Sequence, residues 1–358
     1  MSMLITILIF LGILAVLILA HELGHFATAK AFGVKVEEFG LGFPPRVFGI
    51  KRGETLYSLN AVPLGGFTKM AGEEDPDIER SLASKSVGAR VIVLSAGSIM
   101  NFLLPLLLFS IAFMVPHNAL IEPTVVDIVN PGSPAESAGI EPGDTILGID
   151  GQMTDNFSQI SRYTMLNLGT ETAVLVQHKD GTTEEFQLIP RWKPPEGEGA
   201  MGIERDLDFA LENRVIFRES YPFWEAIPMG VSECIETFFI FKNEILKWFI
   251  GASPVQLTGP VGIAQLTGEV ARAGFSPLLQ FAGFISINLA LVNILPLPAL
   301  DGGRIVFVLL GWVRRGKRIS PRTEGLVHAI GFALLIAAMI AITYQDIIRI
   351  IAGESLIP

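Results

Sequence analysis

The chain has 358 residues, of which 50% are hydrophobic and only 17% charged, and its mean hydropathy is +0.50. Globular domains carry about 25% charged residues, so this composition points to membrane spans. The one cysteine, Cys234, excludes an intrachain disulfide framework and a cysteine-based zinc cluster, and the net charge of −10 argues against a nucleic acid partner.

The first apolar run, Met3 to Ala20, continues past His21–His25 into Phe26-Ala27-Thr28-Ala29. Its length also suits a secretory signal. No basic segment precedes it and no small-residue cleavage site stands out, so a retained span is expected. Beyond it, Gly40-Leu41-Gly42-Phe43-Pro44-Pro45 and Pro63-Leu64-Gly65-Gly66-Phe67 flank Leu56-Tyr57-Ser58-Leu59. Glycine and proline punctuating short apolar stretches predict hairpins. Such a sheet can dip back toward the membrane where protein shields its backbone.

The second apolar run is Val91 to Val115, with Asn101 and Pro105 inside it. Next comes Pro131-Gly132-Ser133-Pro134-Ala135-Glu136-Ser137-Ala138-Gly139-Ile140-Glu141-Pro142-Gly143-Asp144, then Thr145 to Gly151. Turn residues there separate a short helix from strands. Strand patterns continue at Ala173–His178 and Glu184–Ile189 around Asp180-Gly181. Phe223 to Phe249 is apolar but carries Glu225, Glu233, Glu236, Lys242, Glu244 and Lys247. Each central charge costs about 2.5–3.5 kcal/mol in lipid, so an amphipathic helix on the membrane surface is expected. The third apolar run is Leu278 to Leu300, broken late by Pro296 and Pro298, and the fourth is Leu326 to Tyr344.

Four spans leave three loops. The first (Lys30–Arg90) holds nine Lys/Arg, and the third (Gly302–Gly325) holds six: Arg304, Arg314, Arg315, Lys317, Arg318 and Arg322. The second (Pro116–Pro277) has ten Lys/Arg against 23 Asp/Glu. The positive-inside rule then puts the first and third loops in the cytoplasm, with both termini and the acidic loop outside.

His21-Glu22-Leu23-Gly24-His25 places two histidines four residues apart. On a helix both imidazoles share one face, as a common metal ion needs, and Glu22 beside them can take a proton from a water acidified by that ion. Polar residues inside an apolar run are functional by default. Catalytic zinc takes a third protein ligand and keeps an open position. Position 31, where one extended motif would have a third histidine, is Ala31. Glu37, Glu38 and Glu54 fall in the glycine-rich loop. The remaining candidate is Asp301, a lone carboxylate at the end of the proline-broken third run, which otherwise reads as a helix-terminal cap.

Together, His21-Glu22-x-x-His25 and Asn293-x-x-Pro296-x-x-x-x-Asp301-Gly302 resemble the site-2 protease family of intramembrane zinc metalloproteases, nearest to the bacterial regulator of sigma-E protease type. Pro63-Leu64-Gly65-Gly66-Phe67-Thr68-Lys69-Met70, Thr258-Gly259-Pro260-Val261-Gly262 and Ser286-Ile287-Asn288 extend the likeness over nearly the whole chain. The resemblance implies His21, His25 and Asp301 as ligands of Zn2+ and Glu22 as catalytic base. It also implies Asn288, Asn293 and Pro296 as contacts to an unwound substrate, and an edge strand of the glycine-rich loop near the site. The stretch from Pro131 to Gly151 resembles one PDZ domain.

The fold expected is an α-helical membrane protein with four transmembrane helices, a small cytoplasmic or re-entrant β-sheet, and an inserted α+β PDZ-like domain. Residues 1–115 form the first half of the protease core, 121–208 the extracytoplasmic PDZ-like domain, 209–277 an amphipathic helix with a connecting loop, and 278–358 the second half of the core. The expected substrates are single-span membrane proteins or peptides in the bilayer, with a further peptide as ligand of the PDZ-like domain. The competing reading is a membrane-anchored scaffold without protease activity.

Overall fold

The computed structural model describes residues 2–254, 257–314 and 319–352, the Leu64 side chain apart. The order opens with α1 (Met3–Ala31), β1 (Val36–Arg52), β2 (Thr55–Met70) and α2 (Val87–Met114). Next come β3 (His117–Ile121), β4 (Thr124–Val129), α3 (Pro134–Ala138), β5 (Thr145–Ile149), β6 (Gln152–Met153) and α4 (Phe157–Leu166). They lead to β7 (Thr172–Gln177), β8 (Thr183–Leu188), β9 (Ile203–Arg205), α5 (Leu207–Glu212) and β10 (Val215–Glu219). The order closes with α6 (Phe223–Phe249), α7 (Pro260–Ala273), α8 (Phe275–Ile294), α9 (Asp301–Val313) and α10 (Pro321–Ala352). The chain divides into two compact units. One comprises Met1–Phe113, Phe223–Cys234 and Leu257–Pro358, the other Met114–Pro222 and Ile235–Gln256.

In the first unit, α1, α2, α8 and α10 are long and apolar enough to cross a membrane. Their apolar side chains are largely uncovered by protein: Leu4, Leu8, Val16 and Leu19 on α1 and Leu334 and Ile340 on α10 are exposed. Such surfaces are excluded from water and match a hydrocarbon environment. The chain is thus membrane-associated. A water-excluded cluster of Ala29, Val34, Val36, Met70, Leu82, Val93, Leu94 and Val308 joins the end of α1 to the sheet, α2 and α9.

The glycine-rich loop forms two long antiparallel strands, where several short hairpin strands were expected. Residues 36–41 lie between 66–70 on one side and 56–59 on the other, and 46–52 fold back along 55–60. Gly42 (φ 81°) and Gly65 (φ 104°) adopt left-handed backbone at the bends, which lets each strand curve without ending. Phe43, Val47, Phe48 and Ile50 are exposed along the distal arm.

Two further expectations are corrected. The third apolar run is helical only to Ile294, and the presumed loop from Gly302 is mostly helix α9. Pro296 and Pro298 lack the N–H that would continue α8. Ala299 then reverses the chain at φ 75°, with its N–H donated to His328 Nδ1 at 2.9 Å. Asp301 therefore heads its own helix instead of closing a span. The connection expected within 209–277 also carries β10 and α7. Pro260 sits in the first turn of α7, and the buried Asp346 carboxylate of α10 accepts the Gly262 N–H at 2.8 Å. Of the cations counted above, Arg315, Lys317 and Arg318 lie outside the described residues.

The second unit holds an antiparallel sheet in the order β8-β7-β5-β4-β9, with β6 beside β5, and a separate antiparallel ribbon of β3 and β10. Alternate residues of β7 point inward, as period two requires. Val126, Ile146, Ile149, Ile160, Val174 and Val176 fill the core. Ser133 caps α3 by accepting the Glu136 N–H, Pro134 opens it, and Gly139 at φ 99° closes it. The second half of α6 packs on α4 through Asn243, which donates to the Met165 carbonyl at 2.7 Å, and through a 2.8 Å ion pair between Arg162 and Glu236.

Candidate metal centre

His21 and His25 project from one face of α1, and Asp301 from the first turn of α9, 276 positions after His25. Asp301 Oδ2 lies 3.1 Å from His21 Nε2 and 3.1 Å from His25 Nε2, and the two Nε2 atoms are 3.2 Å apart. His25 Nδ1–H donates to the Val93 carbonyl at 2.8 Å, so the neutral ring presents a bare lone pair at Nε2. His21 Nδ1 faces the Asn101 amide at 3.5 Å, and Asn101 Oδ1 is buried without a partner. With that amide turned about, Oδ1 accepts the His21 Nδ1–H. His21 Nε2 is then a lone pair as well.

Three potential ligand atoms thus converge on one point, an arrangement that a shared cation satisfies. Ligand atoms on a tetrahedral zinc ion, with bonds of about 2.0–2.1 Å, stand roughly 3.3 Å apart. The observed triangle is close to that, and among the described residues this is the group suited to a metal. The triad fits zinc. A Cβ at Gly97 of α2 would come within 2.6 Å of His21 Nε2, so only glycine lets α2 pass this close to both rings.

A cavity of about 310 Å³ opens on the site, lined in part by His21, Glu22, His25, Thr68, Asp301 and Arg304. Thr68 Oγ1 donates to Glu22 Oε2 at 2.7 Å. Arg304, one helical turn past Asp301, pairs with Glu73, whose other oxygen accepts the Met70 N–H at 3.1 Å. The α9 start and the end of β2 are thereby tied together. This geometry supports proton abstraction by Glu22 beside a three-ligand metal with an open face.

The expected residues fall into two groups. His21, His25 and Asp301 meet at one point, and Glu22 lines the same cavity. Asn288, Asn293 and Pro296 are not among the residues lining the cavity. Asn288 donates to the Phe284 carbonyl of its own helix at 2.9 Å, Asn293 lies in the last turn of α8, and Pro296 lies in the segment leading to Asp301. Sequence reasoning passed over Thr68, Gly97, Arg304 and His328 as individuals. The available signal was polarity or smallness within apolar surroundings, which names no partner.

A metal-binding helix joined by a carboxylate from a second helix, on membrane-length scaffolding, defines a membrane metallopeptidase. Comparison with known proteins narrows that class. The model of peptidase family M50 matches residues 9–338. A Clostridium acetobutylicum protein, named as an inferred zinc metalloprotease, is 39% identical over 334 residues, covering 93% of this chain and 94% of the relative. Zinc metalloprotease RasP of Geobacillus kaustophilus is 28% identical over 426 residues, covering 96% of this chain and 97% of the relative. RasP of Oceanobacillus iheyensis is 27% identical over 435 residues, covering 96% and 99%. The chain belongs to peptidase family M50, the site-2 protease family. It is a zinc metalloendopeptidase.

Proposed function

We propose that this protein is an intramembrane endopeptidase that cuts single-span membrane proteins within or beside their transmembrane segments. The observation that carries the proposal is the position of His21 and His25 within α1, a helix of 29 residues apolar enough to span a membrane. At 1.5 Å per residue they lie roughly 27–33 Å from the first residue of α1 and about 9–15 Å before its last, inside the helix and nearer the first loop. His21, His25 and Asp301 hold zinc, which when bound supplies Lewis-acid polarisation of a carbonyl and acidification of a water. Glu22 takes a proton from the attacking water and delivers it to the leaving amine nitrogen. Residues 66–70, paired on one side with 36–41, offer their other edge to an extended substrate beside the cavity. Asn293 in the last turn of α8 and Pro296 in the non-helical segment before Asp301 hold, with Asn288, the unwound substrate.

The charge distribution supports a site that opens toward the cytoplasm, with both termini and the second unit outside a bacterial cytoplasmic membrane. The second unit is read as a PDZ-like domain. Edge strand β9 and helix α4 border a cavity of about 230 Å³ lined in part by Phe157, Ile160, Met201, Ile203 and Lys247, which suits an apolar peptide. It either binds such a peptide or filters substrates by the bulk of their outer domains. Anti-sigma factors and remnant signal peptides both have the required single span. Purified protein in lipid vesicles should cleave a labelled single-span peptide. Glu22→Gln should keep its zinc and lose at least about 100-fold in kcat. Full activity of that variant would remove Glu22 from the mechanism.

A further inference from the structure

We infer that Thr68 is the positioning residue for the catalytic base; the inference rests on the peptidase reading above. Its hydroxyl lies 2.7 Å from Glu22 Oε2 and 3.1 Å from the Glu22 main-chain carbonyl. A hydroxyl has one hydrogen, and the shorter, charge-assisted contact takes it. Glu22 has three side-chain torsions, and among the described residues Thr68 is its one side-chain partner with a hydrogen bond. That bond holds Oε2 toward the sheet and leaves Oε1 for the proton of the attacking water.

The placement is built in. Thr68 is buried, and it stands on the 66–70 segment two residues from Gly66. A Cβ at Gly66 would lie 2.7 Å from Ile18 Cγ2 and 3.0 Å from Glu22 Cγ. A residue with any side chain there would push the strand off α1 and carry the hydroxyl out of reach. The same strand lines the metal cavity, so a substrate pairing along its open edge rests on the element that orients the base. Substrate placement and base placement are therefore set by one rigid strand, which is the geometry a near-attack arrangement needs.

The test uses Thr68→Val, which keeps the β-branched shape and puts a methyl in place of the hydroxyl. Full-length protein in vesicles would be assayed on a labelled single-span peptide, with zinc content measured in parallel. Thr68→Val should lower kcat by about 10- to 100-fold with KM and zinc content held. Thr68→Ser, which restores the hydroxyl, should recover most of kcat. In the Glu22→Gln background, Thr68→Val should leave peptide affinity unchanged. A Thr68→Val enzyme with parental kcat overturns the inference, and so does a defect confined to KM, zinc content or peptide affinity. A parent enzyme that cleaves no membrane peptide would instead overturn the function reading on which the inference stands.

Discussion

The His21–His25 spacing was readable because a helix converts four residues into one face. What held the rings in place was not, since Val93 and Asn101 come from a helix about seventy residues on and act through a carbonyl and one amide. A peptide carbonyl has no sequence signature. Asn101 does stand out in an apolar run, yet nothing in the run says which ring it meets. Asn101→Ala should weaken zinc affinity by about 10- to 100-fold, as for other groups that orient a ligand, measured by competition with a chelator. Gly97→Ala should be harsher. The new methyl lands on the metal-facing nitrogens, so zinc content and peptide cleavage should fall together, and a loaded, active Gly97→Ala protein would contradict the packing of α2 described here.

At the scale of elements, the apolar runs gave the four long helices because length and hydropathy alone decide them. The break between α8 and α9 was half visible. Pro296 and Pro298 announced an interruption, but a new helix starting at Asp301 depends on Gly302 and Gly303, which let its first turn close on the carbonyls of Ile294, Leu295 and Leu297. The α7–α10 contact was not visible, because Asp346 lies beyond the run that marked the fourth span. That carboxylate is 1% exposed and serves both the Gly262 N–H and Arg349 at 2.7 Å. Asp346→Ala strands both partners and should cost about 2–4 kcal/mol, seen as a lowered unfolding midpoint in detergent. Asp346→Asn should recover part of it.

At the scale of the whole molecule, the two units respond to pH through different groups. Hydrogen bonds from Lys30 and Arg80 hold the Glu54 carboxyl down at about 2. A depressed carboxylate contributes its stability above its ordinary value of 4.5, and that contribution fades as pH falls from there toward about 2. In the second unit, the hydrogen bond to Asp144 raises His178, with Glu184 adding to it. A raised histidine stabilises below 6.5, and the benefit is lost as pH climbs through the folded-state value. The second unit should thus melt higher at mildly acid than at mildly alkaline pH, and His178→Gln should flatten that slope. Orientation is testable with equal economy because Cys234 is the only cysteine and is buried. In a Cys234→Ala background, a cysteine at Gly151 should react with an impermeant thiol reagent added to intact cells, and one at the exposed Gly53 of the first loop should not.

The distance along the chain between His25 and Asp301 has a consequence for biosynthesis. At about 5–20 residues per second, the ribosome needs roughly 15–55 s after making the first two ligands to make the third. Throughout that time the nascent chain threads into a membrane crowded with other single, newly inserted helices. A two-histidine site lacks the carboxylate that closes its metal-binding triangle. The enzyme is born disarmed, and it stays so until residue 301 of its 358 has been made.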